Sequence, residues 1–242
     1  MKQLPEVTKN LLIVNVLVFL ASYVASTRYN VDLNSILGLH FFGSEKFRLY
    51  QFFTYMFMHS TFEHLFFNMF AVWMFGRILE NVWGPGRFLF YYVVCGVGAG
   101  LIQETAQYFE FMPVLSNIKA LSALPATEMV PIDGVTHTAA DWLVLHKTVL
   151  DTSTVGASGA VYGILLAFAM LFPNQQLFII PIPVPIKAKW LIIGYFVLEL
   201  VLALVAKGDG VAHIAHLGGM VFGFLLILYW RKHPSGNGYF RR

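Results

Sequence analysis

Along this chain the polar residues act as punctuation between long apolar runs. Six segments are long enough to cross about 30 Å of hydrocarbon at 1.5 Å per residue. They cover residues 10–27, 60–79, 87–107, 154–172, 187–206 and 210–230. The second has a readable start, because Ser60-Thr61-Phe62-Glu63 has the form of a capping box, with Ser60 as the cap and Glu63 reaching back. The sixth is expected to start at Asp209, after the tight Lys207-Gly208-Asp209-Gly210 turn that joins it to the fifth. The pattern predicts an all-α membrane protein: one domain over residues 1–242, built on six transmembrane helices, with a long outer insertion, 108–153, between helices 3 and 4.

Composition agrees with the pattern. Of 242 residues, 57% are hydrophobic and 12% charged, where a soluble domain carries about 25% charge. The first apolar run, Leu11 to Ala25, follows Lys2 and Lys9 as a signal peptide's core would. Asn15 interrupts it and no A-x-A-like cleavage site is evident, so it is expected to be an uncleaved first span. The single cysteine, Cys95, sits in an apolar segment as a small core residue, and no disulfide framework is possible. The net charge of +3 comes from cations flanking the membrane and gives no reason to expect nucleic acid.

Orientation is set by lysine and arginine. With the N-terminus inside, the inner segments hold ten of these cations and the longer outer segments six, which places both termini in the cytoplasm. Residues 28–59 form an aromatic-rich outer loop suited to lying on or partly in the membrane. The 108–153 insertion carries Pro113, Pro125, Pro131 and a candidate helix, "AADWLVLHKTVL", with His137 and His146 expected to be solvated.

Spans two, four and six all run from outside to inside, so their polar residues can be compared by depth. Ser158 lies four residues below Thr154 and His64 four below Ser60, each about 6 Å down. His216, seven below Asp209, is about 10 Å down, and Asn68, eight below Ser60, about 12 Å. Polar groups inside a membrane are expensive and face the protein interior, so these four are expected to converge on one site. His64 and Asn68, four apart, share a helix face. Gly156, Gly159 and Gly163 in span four, with Ala215, Gly219 and Gly223 in span six, allow close helix approach.

The chemistry these groups offer is acyl transfer. A serine needs an adjacent base, and histidine serves near neutral pH. Asn68, His64 and the Ser158 backbone N–H are candidate oxyanion donors. No aspartate falls in these spans at this depth, so a Ser–His dyad is expected, and Tyr162, one turn below Ser158, is placed to hold the imidazole ring.

Three motifs in order now carry a resemblance. They are "HSTFEHLFFN" (His59 to Asn68), "GASGAVYG" (Gly156 to Gly163) and "AHLGGMVFG" (Ala215 to Gly223). Together they resemble the rhomboid family of intramembrane serine proteases over its six-helix core, residues 10–230 apart from the insertion. "GRILENVWG" (Gly76 to Gly84) adds a family signature with a structural glutamate, here Glu80. The resemblance implies Ser158 as nucleophile, His216 as general base, His64 and Asn68 as oxyanion binders, and Gly156 and Tyr162 as active-site support. His213 also lies in span six, but Gly219 and Gly223 at +3 and +7 select His216. His59 is expected to bond loop to helix. Tyr50-Gln51 stands where some bacterial members carry Trp-Arg, so this loop must be anchored differently.

The resemblance implies a serine endopeptidase of a bacterial plasma membrane. It would cleave single-span membrane proteins in or near their membrane segment and be surrounded by lipid, with no metal or organic cofactor. Two alternatives compete: an inactive scaffold of the same superfamily, and a metal site built from His59, His64, His213 and His216. Glu199, in span five, is the residue explained least, and a carboxylate in the membrane is a functional candidate by default. It is read as structural, protonated or bonded to water or a neighbouring helix; the resemblance, which sets span five beside the active site, offers a role in gating substrate as the alternative.

Overall fold

The computed structural model describes residues 3–132, 134–179, 182–205 and 211–233. The chain begins with α1 (Glu6–Tyr29) and a short α2 (Leu33–Leu37), followed by strand β1 (Leu39–His40) and α3 (Gln51–Thr54). Next, α4 (Phe62–Ala71) runs through a π-helical turn at Val72–Gly76 into α5 (Arg77–Trp83), and α6 spans Pro85–Leu121. A hairpin of β2 (Met129–Ile132) and β3 (Val135–Thr138) leads to α7 (Ala139–Leu150) and β4 (Ser153–Thr154). Then come α8 (Ser158–Leu171), the hairpin β5 (Gln176–Ile179) and β6 (Ile182–Lys187), α9 (Ala188–Val205) and α10 (His213–Lys232).

Four of these helices are long and apolar enough to cross a membrane: α1, α6, α9 and α10. The expected second span falls on α4, the π turn and α5, and the expected fourth on the 14 residues of α8. Exposed Leu17 and Leu20 on α1, Phe66 and Phe67 on α4, and Leu204 and Val205 on α9 present the apolar surface that lipid covers. The protein is therefore an all-α, multi-pass membrane protein.

Several boundaries differ from those the sequence predicts, each for a local reason. The cap of α4 is Thr61, whose Oγ1 accepts from the His64 N–H at 3.1 Å; Ser60 precedes the helix, so Glu63 does not complete a capping box. α8 begins at Ser158, because Ser153 and Thr154 are strand, paired with His40 and Leu39. Ser158 is thus at the mouth of its helix rather than one turn down. α6 continues past residue 107 and through Pro113 to Leu121, so part of the expected insertion is helix. Its 37 residues measure about 55 Å at 1.5 Å each. His146 is buried on α7, its Nδ1 2.7 Å from Trp142 O and its Nε2 3.3 Å from Asn117, whereas His137 is exposed. The turn at Lys207–Gly210 and the expected start at Asp209 lie outside the described residues.

α10 is the central helix, packed against α6, α8 and α9. A Cβ built on Gly219 would stand 1.8 Å from Gly159 O, so here α10 and α8 touch backbone to backbone. Cys95 is buried and unbridged. At the other end, Glu80 on α5 is buried and accepts from Val7 N (2.9 Å), Thr8 N (2.7 Å) and Thr8 Oγ1 (2.7 Å), satisfying donors that α1 has no residues to pair.

The outer loop is anchored through Gln51. It is buried, its Oε1 accepts from Arg48 N and His40 N, and its Nε2 donates to Ile36 O and Lys46 O. Ser44 and Lys46 hold Asp151 at 2.6 and 3.0 Å, and Lys147 pairs with Glu45 at 3.0 Å, fastening this loop to the end of α7. The Ser44 hydroxyl, with Lys46 behind it, holds the Asp151 carboxyl below its ordinary range.

Candidate active site

The segment before α8 sets the site. Gly156 has φ +127°, a conformation glycine adopts freely and other residues rarely. Its N–H donates to Tyr55 O at 2.9 Å. A Cβ at Gly156 would stand 2.6 Å from His64 Nε2 and 3.6 Å from Ser158 Oγ. The imidazole of α4 and the hydroxyl of α8 therefore face the same glycine, and only glycine leaves room for both.

Across the bundle, His216 Nε2 lies 2.9 Å from Ser158 Oγ. Tyr162 stacks on the His216 ring with centroids 4.3 Å apart and planes 11° from parallel. Both contacts come from α8 geometry: one turn separates Ser158 from Tyr162, so the base is bonded at one edge and covered on one face. The Gly219–Gly159 contact, one turn below His216 on α10, brings the two helices close enough for this reach.

The structure thus brings Ser158, His216, Tyr162, Gly156 and His64 together. His64 Nδ1 lies 3.3 Å from Ser60 Oγ. Asn68 is buried one turn below, and its Nδ2 donates to His64 O at 2.9 Å, so one of its two N–H groups is engaged on its own helix. His59 is buried with its ring edge-on to His64, centroids 5.0 Å apart, and among the described residues neither of its nitrogens has a hydrogen-bond partner in good geometry. The expected loop-to-helix hydrogen bond is replaced by ring packing, and burial beside His64 lowers the His59 pKa to about 4.

The residue whose place sequence reasoning missed is Glu199. It reaches from α9 into the same cluster: Oε1 accepts from the Tyr162 hydroxyl, and Oε2 lies 2.6 Å from His213 Nδ1 and 3.0 Å from His216 Nδ1. The last contact is at ion-pair distance without the alignment of a linear hydrogen bond. A signal was available. In the orientation expected from the sequence the fifth span, 187–206, would run inside to outside, and counting back from its outer end puts Glu199 seven residues in, about 10 Å and level with His216.

Glu199, His213 and His216 also offer three potential metal-ligand atoms within 4.8 Å of one another. The 2.6 Å between His213 Nδ1 and Glu199 Oε2 is a hydrogen-bond distance. Two ligands held about 2.0 Å from a tetrahedral zinc ion stand roughly 3.3 Å apart, so an ion would have to break that bond.

A multi-pass helical membrane protein with a serine and a histidine joined across two closely packed helices is the class that fold and site define. Residues 9–241 match the family described as "Eukaryotic integral membrane protein (DUF1751)", and the chain belongs to this rhomboid-like family. It is similar to Rhomboid-like protein 11, chloroplastic, of Arabidopsis thaliana, with 26% identity over 94% of this chain and 66% of that protein. It is also similar to Rhomboid protease AarA of Providencia stuartii (26% identity, 74% of this chain, 55% of that protein). A third relative, Rhomboid protein 1, mitochondrial, of Saccharomyces cerevisiae, shows 25% identity over 73% of this chain and 40% of its own length. The chain spans between 40% and 66% of these relatives. The matched family is described as eukaryotic, and the expected bacterial plasma membrane finds no support in it.

Proposed function

We propose that this chain is an intramembrane serine endopeptidase that hydrolyses peptide bonds in or near the membrane segments of single-span proteins. The observation that carries this reading is the 2.9 Å contact between Ser158 Oγ and His216 Nε2 under a stacked Tyr162. That is hydrogen-bond reach between a nucleophile and its base. The name of one relative, Rhomboid protease AarA, supports the same chemistry. Under this proposal the pieces α4–π–α5 and α8 complete six spans, with both termini on the cytoplasmic side as the cation distribution favours.

The reaction runs in two balanced halves. His216 Nε2 takes the Ser158 hydroxyl proton as Oγ attacks the scissile carbonyl. The resulting oxyanion meets the mouth of α8, where the first helical N–H groups have no intrahelical acceptor and the helix dipole is positive, with His64 opposite. His216 then returns the proton to the leaving amine, forming an ester on Ser158. In the second half, water gives a proton to Nε2, its oxygen attacks the ester, and Ser158 leaves as an alkoxide that recovers the proton. Gly156 keeps His64 and Ser158 on one side of the chain, and Tyr162 limits ring rotation of the base.

The test is cleavage of a model single-span substrate by purified protein in liposomes, comparing wild type, Ser158→Ala and His216→Ala, with a chelator control. Cleavage by wild type alone, unaffected by chelator, is expected, together with Ser158-dependent labelling by a fluorophosphonate. Folded wild-type protein that neither cuts nor labels would return the chain to the scaffold alternative, and loss of activity in chelator to the metal alternative.

A further inference from the structure

We infer that Glu199 is a positioning residue for catalysis, extending the Ser158–His216 pair to a Ser–His–Glu relay; this rests on the protease reading above. Of the buried residues on α9, namely Ala188, Ile192 and Glu199, the last is the ionisable one. Three side chains from two other helices converge on its carboxylate: Tyr162 from α8, and His213 and His216 from α10. An ionised carboxylate only accepts hydrogen bonds. Placed against both Nδ1 atoms, it therefore assigns their protons: His213 and His216 each carry hydrogen on Nδ1.

The consequence for His216 is decisive. A neutral imidazole with its proton on Nδ1 has its lone pair on Nε2, and Nε2 is the atom 2.9 Å from the Ser158 hydroxyl. Glu199 thus selects the tautomer that can accept the serine proton, and its charge offsets the imidazolium that forms as the proton moves. The Nδ1–Oε2 contact is already 3.0 Å, and such contacts tighten when substrate is bound. The Tyr162 hydroxyl and His213 fix the carboxylate by hydrogen bonds, while Tyr162 also stacks on the base, so the carboxylate and the ring it faces are each held in place. The aspartate missing from the sequence at this depth is replaced by a glutamate arriving on an antiparallel helix.

The discriminating substitution is Glu199→Gln, which keeps size and packing. Its carbonyl oxygen can still accept from Tyr162, but its amide then presents N–H groups to both Nδ1 atoms. With the amide so placed, His216 offers a lone pair there and carries its proton on Nε2, where it cannot take another. In purified full-length protein in liposomes, Glu199→Gln is expected to lower kcat on the order of 10²- to 10⁴-fold with KM little changed, the scale seen when a triad acid loses its charge. Glu199→Asp, which keeps an acceptor on a shorter stem, is expected to recover at least about tenfold over Gln. Thermal melts confirm that each variant is folded.

A second measurement does not depend on turnover. Imidazole ¹⁵N NMR of Ser158→Ala protein is expected to show the His216 proton on Nδ1, and on Nε2 when Glu199→Gln is added. A folded Gln variant with wild-type kcat, an Asp variant no better than Gln, or a His216 tautomer indifferent to the substitution each overturns the role of Glu199 while leaving the protease reading standing. Wild-type protein that neither cleaves the model substrate nor labels with fluorophosphonate removes the protease reading, and the relay with it.

Discussion

Replacing Glu80 with alanine should loosen the first helix from the bundle. The carboxylate accepts three hydrogen bonds from the start of α1: Val7 N at 2.9 Å, Thr8 N at 2.7 Å and Thr8 Oγ1 at 2.7 Å. Hydrogen bonds to a charged group contribute about 1.5–3 kcal/mol each, but the three are not equivalent. The Val7 bond is partly buried, so water can replace it; Thr8 is fully buried and both its donors would be stranded. Adding the lost charge at a helix N-terminus, about 0.3–1 kcal/mol, and discounting Val7, the expected destabilisation is on the order of 3–7 kcal/mol. For a chain of this size that corresponds to a melting point lower by roughly 6–28 °C. Thermal unfolding in a mild detergent, monitored by tryptophan fluorescence, measures it. Glu80→Gln, which keeps an acceptor without the charge, should fall between wild type and alanine. Limited proteolysis should cut after α1 first, because α1 buries little beyond Thr8, Leu11 and Asn15. A Glu80→Ala protein melting within about 2 °C of wild type would show that lipid alone holds α1 in place and refute the reasoning.

The same geometry sets the outcome of other substitutions. Gly156→Ala forces φ +127° on a residue with a Cβ and drives that Cβ to 2.6 Å from the His64 ring; the strain should lower the melting point by several degrees, about 1–3 kcal/mol, and substrate cleavage should fall by at least about tenfold, whereas unchanged kcat and KM would contradict this. Gly219→Val places a side chain against Gly159 O, 1.8 Å from where its Cβ must go, so α10 must move off α8; both the melting point and fluorophosphonate labelling of Ser158 should drop. His59 is neutral when folded, with its pKa lowered to about 4 by burial, and titrates near 6.5 when unfolded. Its stabilisation is present above a pH of about 6.5 and is lost as pH falls toward 4, by on the order of 3 kcal/mol. Melting points measured across that window should decline less steeply in His59→Phe than in wild type.

The helices and the Ser–His contact are legible in the sequence because both are written in local pattern. Apolar runs separated by cations mark α1, α6, α9 and α10, and the small residues around Ser158 and His216 mark a close crossing. What stays hidden is set by long-range pairing. Nothing near Ser158 says that Ser153 and Thr154 are strand, because their partners, His40 and Leu39, lie more than a hundred residues away. Local pattern therefore puts the helix start at Thr154, four residues ahead of Ser158. The same limit applies at Thr61, where Ser and Thr stand side by side as equal capping candidates and only the backbone decides. Glu199 is visible as an oddity, yet its partners come from two other helices, α8 and α10, which no pattern local to α9 reveals.

The backbone contact between Gly159 and Gly219 bears on when the site comes into existence during synthesis. Translation runs from the N-terminus, so Ser158 and the glycine turn before it are made well before residue 213. Under the protease reading, a nascent chain with α8 already made would have its nucleophile but no base, and its serine would remain an ordinary alcohol in a membrane full of peptide bonds. Only when α10 arrives and its glycines seat against α8 does the imidazole come within reach of the hydroxyl. The late helix is also the central one, so completion of the bundle and assembly of the Ser158–His216 contact are a single event. On the protease reading proposed above, a chain built in this order would stay inert until α10 is seated.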